Sequence, residues 1–187
     1  MTCKKKKNSR CLDGAPVIEA AANGNALKLK ALIDAGHSID SRDRDGWSAL
    51  HKAIWYGAAD CVQVLLDAGV DPNIRDEFGW TPMHMAAWKG HPHCIKLMIK
   101  GKGDINATDS EGNTPLHTTV THGYERVVRL LLGAGADAGA KNNNGMTAAD
   151  VAIQDRHEDI AEIIANSVRL EEEDREKSDS TGYEFDI

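Results

Sequence analysis

Three histidines, His51, His84 and His117, recur at intervals of 33 residues, and imidazoles in register invite a metal-site reading. Stacked copies of a helical unit would set neighbouring imidazoles about 10 Å apart, the usual spacing of packed helices. Zinc holds its ligands at about 2 Å, so such a column cannot close around one ion. Cys61 and Cys94 keep the same 33-residue spacing, within "DCVQVLL" and "HCIKLMI", and Val127 takes the next equivalent place in "RVVRLLL". A position that accepts Cys, Cys and Val is a small buried apolar site, not a ligand set or a disulfide half. No Gly-rich phosphate loop, nucleophile elbow or metalloprotease helix is present in the sequence. No spacing sets a nucleophile beside a base, so the expectation is a non-enzyme with no cofactor and no metal.

The elements that would position these side chains follow from the same period. Gly46, Gly79, Gly112 and Gly145 fall 33 residues apart, as do Gly24, Gly57, Gly90 and Gly123. After the first set come "WSALHKA", "WTPMHMA", "NTPLHTT" and "MTAADVA"; further on come "VQVLLDAG", "IKLMIKGK", "VRLLLGAG" and "IAEIIANS". In "WTPMHMAAWKG" Thr81 can cap a short helix that opens on Pro82, where a missing N–H costs least. Gly90 ends it, and Cys94, Ile95, Leu97, Met98 and Ile99 then form the apolar face of a second helix. A two-helix unit cannot bury that face alone and must stack on its neighbours. Segments such as "GVDPNIRDEFG" and "GDINATDSEG" read as connecting hairpins.

The period, with "NTPLH" at 113–117 and "WTPMH" at 80–84, resembles the ankyrin repeat and its T-P-L-H-x-A signature. The resemblance covers residues 13–168 and implies an all-α solenoid of five helix-turn-helix repeats joined by β-hairpin loops. The repeats span about 13–42, 43–75, 76–108, 109–141 and 142–168, the outer two acting as caps. The first lacks the glycine-led hairpin, and the last has Asp150 for His and Arg156 for Gly, as suits ends with one face in water. The resemblance also implies a structural role for the three histidines, hydrogen-bonded within the hairpin network. His91 in "HPHC" holds a usual family position at the start of an outer helix, so His93 alone is left, and one ligand makes no site. Asn73 and Asn106 stand at the hairpin position that some members present to an asparaginyl hydroxylase, and they are read here as turn asparagines.

Outside the repeats, residues 1–12 form a basic tail, with five cationic groups and no acid in the first 11, and residues 169–187 an acidic tail with eight acids against three bases. The net charge of −7 and the lack of a basic stripe argue against nucleic acid. No apolar run spans a membrane and no signal-peptide pattern opens the chain, which points to the cytosol with nuclear access left open. "KKKK" at 4–7 reads as a solvated tail, an import signal or a weak contact for acidic lipids, and Cys3 and Cys11 beside it offer palmitoylation sites. Phe185, Asp186 and Ile187 resemble a class II PDZ ligand captured by strand addition.

Function in such a scaffold belongs to a site, not to the fold. In the ankyrin family, partners meet the hairpin tips and the outward positions of the inner helices. Mapped onto this chain, the tip positions are Arg44, Asp45, Trp47, Glu77, Phe78, Trp80, Ser110, Glu111, Asn113, Asn143, Asn144 and Met146. The helix positions are Lys52, Trp55, Tyr56, Met85, Trp88, Lys89, Thr118, Thr121 and His122. All four tryptophans of the chain fall in the second and third repeats, as two copies of one pair. The expectation is a protein-interaction module, monomeric when alone, that binds a peptide or folded domain on the concave face of repeats two to four. Its hot spot is aromatic. The alternative is an adaptor that links a repeat-bound partner to a PDZ protein or a membrane through its tails.

Overall fold

The computed structural model describes residues 14–180, with side chains through residue 170. The N-terminal cysteines Cys3 and Cys11 and the terminal Phe185, Asp186 and Ile187 lie outside the described residues. Among the described residues ten helices follow one another as five antiparallel pairs. The inner helices are α1 (Ala15–Ala22), α3 (Ala49–Trp55), α5 (Pro82–Trp88), α7 (Pro115–Val120) and α9 (Ala148–Gln154). The outer helices are α2 (Ala26–Asp34), α4 (Ala59–Asp67), α6 (Pro92–Lys100), α8 (Glu125–Gly133) and α10 (Glu158–Ser180). Each inner helix packs on the next inner helix and each outer helix on the next outer one, so the core runs the length of the stack. Among the described residues no helix is long and apolar enough to cross a membrane.

Columns of equivalent side chains build that core. Leu50, Met83 and Leu116 are fully buried between inner helices, and Leu65, Met98, Leu131 and Ile164 are buried between outer ones. Cys61, Cys94, Val127 and Ile160 form a further buried column, and the two thiols are free. Burial pushes the Cys94 thiol up to about 11, which keeps it protonated and inert. Ile54, Ala87 and Val120 are buried, whereas the equivalent Ile153 is 60% exposed, because no further inner helix lies against α9 among the described residues.

The hairpin connectors contain no β-strand among the described residues. They reduce to isolated bridges, Arg42 with Ser48 and Lys141 with Thr147, because each leg is too short to extend a ladder. At the other end, the expected boundary at residue 168 falls inside α10, which runs on to Ser180. The segment "RLEEEDREKSDS" contains neither glycine nor proline and is rich in strong helix formers.

The histidine column is a set of capping and bridging groups. Ser48, Thr81 and Thr114 cap α3, α5 and α7, and each hydroxyl lies 2.9 Å from the Nδ1 of His51, His84 or His117. On the far side of the ring, Nε2 of His84 donates to the carbonyl of Asn113 (2.9 Å) and Nε2 of His117 to that of Met146 (3.1 Å), each in the following repeat. Nε2 of His51 faces the equivalent carbonyl of Trp80 without closing a full hydrogen bond. One imidazole thus caps its own helix and ties it to the next tip. In the last repeat Asp150 takes over the capping half alone, accepting from the Thr147 amide at 2.8 Å and its hydroxyl at 2.7 Å. A carboxylate also suits a helix N-terminus.

Burial lowers the pKa of all three histidines, to about 4 for His51 against an ordinary 6.5. These rings are therefore neutral in the fold, and protonation favours the unfolded chain. Their contribution to stability is present above the ordinary pKa of 6.5 and is lost as the pH falls below it, for His51 towards about 4. Urea unfolding followed from about pH 7.5 to about pH 5 should lose on the order of 2 kcal/mol through His51 alone, and His51→Gln should flatten that part of the slope. A second prediction comes from Arg156, which has φ 63° where Gly24, Gly57, Gly90 and Gly123 stand in the other repeats. A left-handed residue with a side chain is strained, so Arg156→Gly should raise stability by about 0.5–1 kcal/mol, read as a shift in the urea midpoint.

Candidate functional site

The concave side of the stack is shaped by its hairpin tips, and each tip is organised by one acceptor side chain. The Oδ1 atom of Asp43 accepts from the amides of Asp45 (3.0 Å) and Trp47 (2.9 Å). Asp76 does the same for Phe78 and Trp80, both at 2.9 Å, and Asp109 for Glu111 (2.9 Å) and Asn113 (2.8 Å). In the fifth repeat Asn142 makes the same turn with Asn144 (3.0 Å) and Met146 (3.1 Å). This side-chain turn presents the two positions after it outward. Neighbouring turns are then fastened together. Arg42 Nη1 donates to the Gly46 and Arg75 carbonyls at 2.7 and 2.8 Å, and Arg75 Nη1 to those of Gly79 and Thr108 at 2.8 and 2.5 Å. Asn73 and Asn106 accept from the amides of Asp104 (2.7 Å) and Asp137 (2.8 Å) in the next repeat, a bridging role that accounts for both turn asparagines.

On this frame the tryptophans meet in pairs. The rings of Trp47 and Trp55 lie 5.0 Å apart at 54°, and those of Trp80 and Trp88 lie 5.4 Å apart at 59°. Tilted pairs at these separations match the attraction between a ring face and a ring edge. Each pair joins a tip to the helix it leads into. Trp88 continues to His122, edge-on at 3.9 Å, and His122 stacks on Tyr124 at 5.7 Å. The four tryptophans are half-buried, three of them, Trp47, Trp55 and Trp80, against the core, while Phe78 is 69% exposed at its tip.

Both pairs open into one groove of about 420 Å³ that runs through the fourth repeat and reaches Val151 of the fifth. Of the residues singled out in the sequence, Trp47, Trp55, Phe78, Trp80, Met85, Trp88, Ser110, Glu111, Asn113, Thr118 and Thr121 line it. Arg44, Asp45, Lys52, Glu77, Lys89 and His122 do not line this groove, although the last touches Trp88. Met85, expected to point outward, is only 1% exposed, because its helix faces the groove floor and packs into the core there. Tyr56 is 60% exposed but lines a separate depression with Ala22 and Asp60, since it follows the end of α3 and turns towards the first repeat.

Two of the lysines are engaged inside the protein. Lys52 pairs with Asp43 at 2.8 Å while its Nζ lies over the Trp47 ring, 4.6 Å from the centroid. Lys89 Nζ lies 4.1 Å from the centroid of Trp55, bridging the second and third repeats. Burial opposes ionisation of Asp43, but hydrogen bonds from Lys52 and from the Trp47 and Asp45 amides outweigh it and hold its pKa below the ordinary value.

Asp76, Asp109, His117 and Val151 also line the groove, and sequence reasoning passed over them as contact residues. The two aspartates could have been found from their own 33-residue register with Asp43 and Asn142. Among the described residues no group of three or more His, Cys, Asp or Glu side chains is gathered as metal ligands would be.

Comparison with known proteins agrees with this architecture. A family model described as ankyrin repeats (3 copies) matches residues 68–142 and 104–174, and one described as ankyrin repeats (many copies) matches 32–86. Human ankyrin repeat and SOCS box protein 2 is 33% identical over 58 residues, 31% of this chain and 9% of that protein. Human ankyrin repeat and SOCS box protein 3 is 36% identical over 45 residues, 24% of this chain and 9% of that protein. Mouse protein phosphatase 1 regulatory subunit 12A is 37% identical over 51 residues, 27% of this chain and 5% of that protein. The chain thus spans under a tenth of the length of these relatives. With five helix pairs stacked at the matching period, the chain belongs to the ankyrin-repeat family.

Proposed function

We propose that the protein is a non-enzymatic interaction module whose partner polypeptide docks in the concave groove of repeats two to four. Ankyrin repeats generally mediate protein–protein interaction, and the similar proteins named above include a phosphatase regulatory subunit. One observation carries the finer reading. All four tryptophans of the chain line a single groove, and the scaffold does not require them there. Repeats four and five build the same helix pairs and tips with Asn113, Thr121, Met146 and Gln154 at the tryptophan positions.

Half-buried indoles with exposed edges are the usual anchors of protein interfaces, each contributing about 2 kcal/mol or more when central and shielded from water. The rest of the groove supplies acceptors, Asp76, Asp109 and Glu111, together with the mixed donors and acceptors of Asn113 and Thr121. Such a surface suits an extended or helical segment with an apolar side chain seated between the tryptophan pairs. The walls are tied repeat to repeat by the Arg42 and Arg75 hydrogen bonds, so little ordering is needed on binding.

The test is a double variant, Trp55→Ala with Trp88→Ala, in the full chain. Panning a displayed random-peptide library against the wild type yields ligands whose affinity for both proteins can be measured by titration calorimetry. The expected result is a loss of at least about 30-fold in affinity. The helical circular dichroism and cooperative melt should remain. Equal affinity in the two proteins rejects this groove as the binding surface.

A further inference from the structure

The second repeat contains a lysine beside its tip turn, Lys52, which the third and fourth lack at the equivalent place. In the second, Lys52 sits between the Asp43 carboxylate, 2.8 Å away, and the face of Trp47, 4.6 Å from the centroid. The turn around Asp43 is repeated around Asp76, with the same bond to the amide of the tip tryptophan, 2.9 Å in each case. The residue equivalent to Lys52, however, is Met85 in the third repeat and Thr118 in the fourth, both buried and uncharged. Among the described residues neither Asp76 nor Asp109 has an ion pair, and both line the groove. The neighbouring cations are occupied elsewhere, Arg75 on the Gly79 and Thr108 carbonyls and Lys89 on the face of Trp55.

The acids that line the groove, Asp76, Asp109 and Glu111, face no lysine or arginine among its lining residues. A carboxylate beside an indole face attracts a cation twice over, through charge and through the ring quadrupole. We propose that the partner presents a lysine or arginine whose head seats between the Asp76 carboxylate and the Trp80 ring, as Lys52 seats between Asp43 and Trp47. The partner is thus a polypeptide segment carrying a basic residue beside apolar anchors. This rests on the groove being the partner site. It adds the chemistry that the groove selects, through complementary charge.

The two readings are separable in one experiment. Four pools of short peptides, random except for a central Lys, Arg, Gln or Glu, are passed over the immobilised full chain. The wild type should retain the Lys and Arg pools about tenfold better than the Gln and Glu pools. Asp76→Asn should erase that preference while keeping the turn, because Asn142 already makes the same turn in the fifth repeat. Met85→Lys should erase it too, by supplying the chain's own cation. Glu162→Gln, an exposed acid on α10, should change nothing. Equal retention of the four pools, or an equal loss in Glu162→Gln, overturns the proposal. If Asp76→Asn keeps the preference while Trp55→Ala/Trp88→Ala loses all four pools, the cationic reading fails and the groove stands. If the tryptophan variant retains every pool, the groove reading fails and the cationic one falls with it.

Discussion

A pair of short helices cannot bury its own apolar face, and every other feature of this protein follows from that constraint. Inner helices of six to eight residues are too short to be stable alone in water. They persist because columns such as Leu50, Met83 and Leu116 close only when one repeat stacks on the next at a fixed register. The register is held at the polar edge as well. His84 and His117 each cap their own helix and donate to a carbonyl in the following repeat, and Arg42 and Arg75 fasten adjacent tips. Hydrophobic stacking supplies the stability, and these directional bonds set how one tip stands against the next.

That division leaves the concave side chemically free. Its tip positions are presented by Asx-type turns whose geometry depends on Asp43, Asp76, Asp109 and Asn142, not on the residue presented. Tryptophan, asparagine and methionine therefore occupy equivalent places on equivalent turns. A scaffold of this kind can change what it binds without changing how it folds. Here the second and third repeats carry indoles, and the acids of the third and fourth face the same groove.

Much of the fold was legible in the sequence because stacking forces the same residue type to recur at each interface. Glycines, capping hydroxyls, histidines and the Cys61–Cys94–Val127 column all announce the 33-residue period. The hairpins proved to be tip turns without strands among the described residues, since their legs allow only single bridges. The extension of α10 was hidden because acidic composition reads as a solvated tail, although the same residues are good helix formers. At the site, periodicity located the tryptophans, but it could not tell Met85, which turns into the core, from Lys52, which is half-buried on Asp43 and Trp47. It also could not separate Tyr56 from the tryptophan beside it, because the direction taken after α3 ends is a matter of the turn. Asp76 and Asp109 were passed over because a turn-forming role accounted for them, although both also line the groove.

The placement of every tryptophan in one groove makes the protein its own reporter. Intrinsic tryptophan fluorescence, excited without any label, comes from the proposed binding surface and from nowhere else in the chain. Titrating the full chain with a lysine-containing peptide that it retains should therefore change the emission intensity and wavelength saturably, with the same midpoint as binding measured by calorimetry. Binding that saturates by calorimetry while the emission stays unchanged would mean that the partner sits elsewhere, and would contradict the central claim.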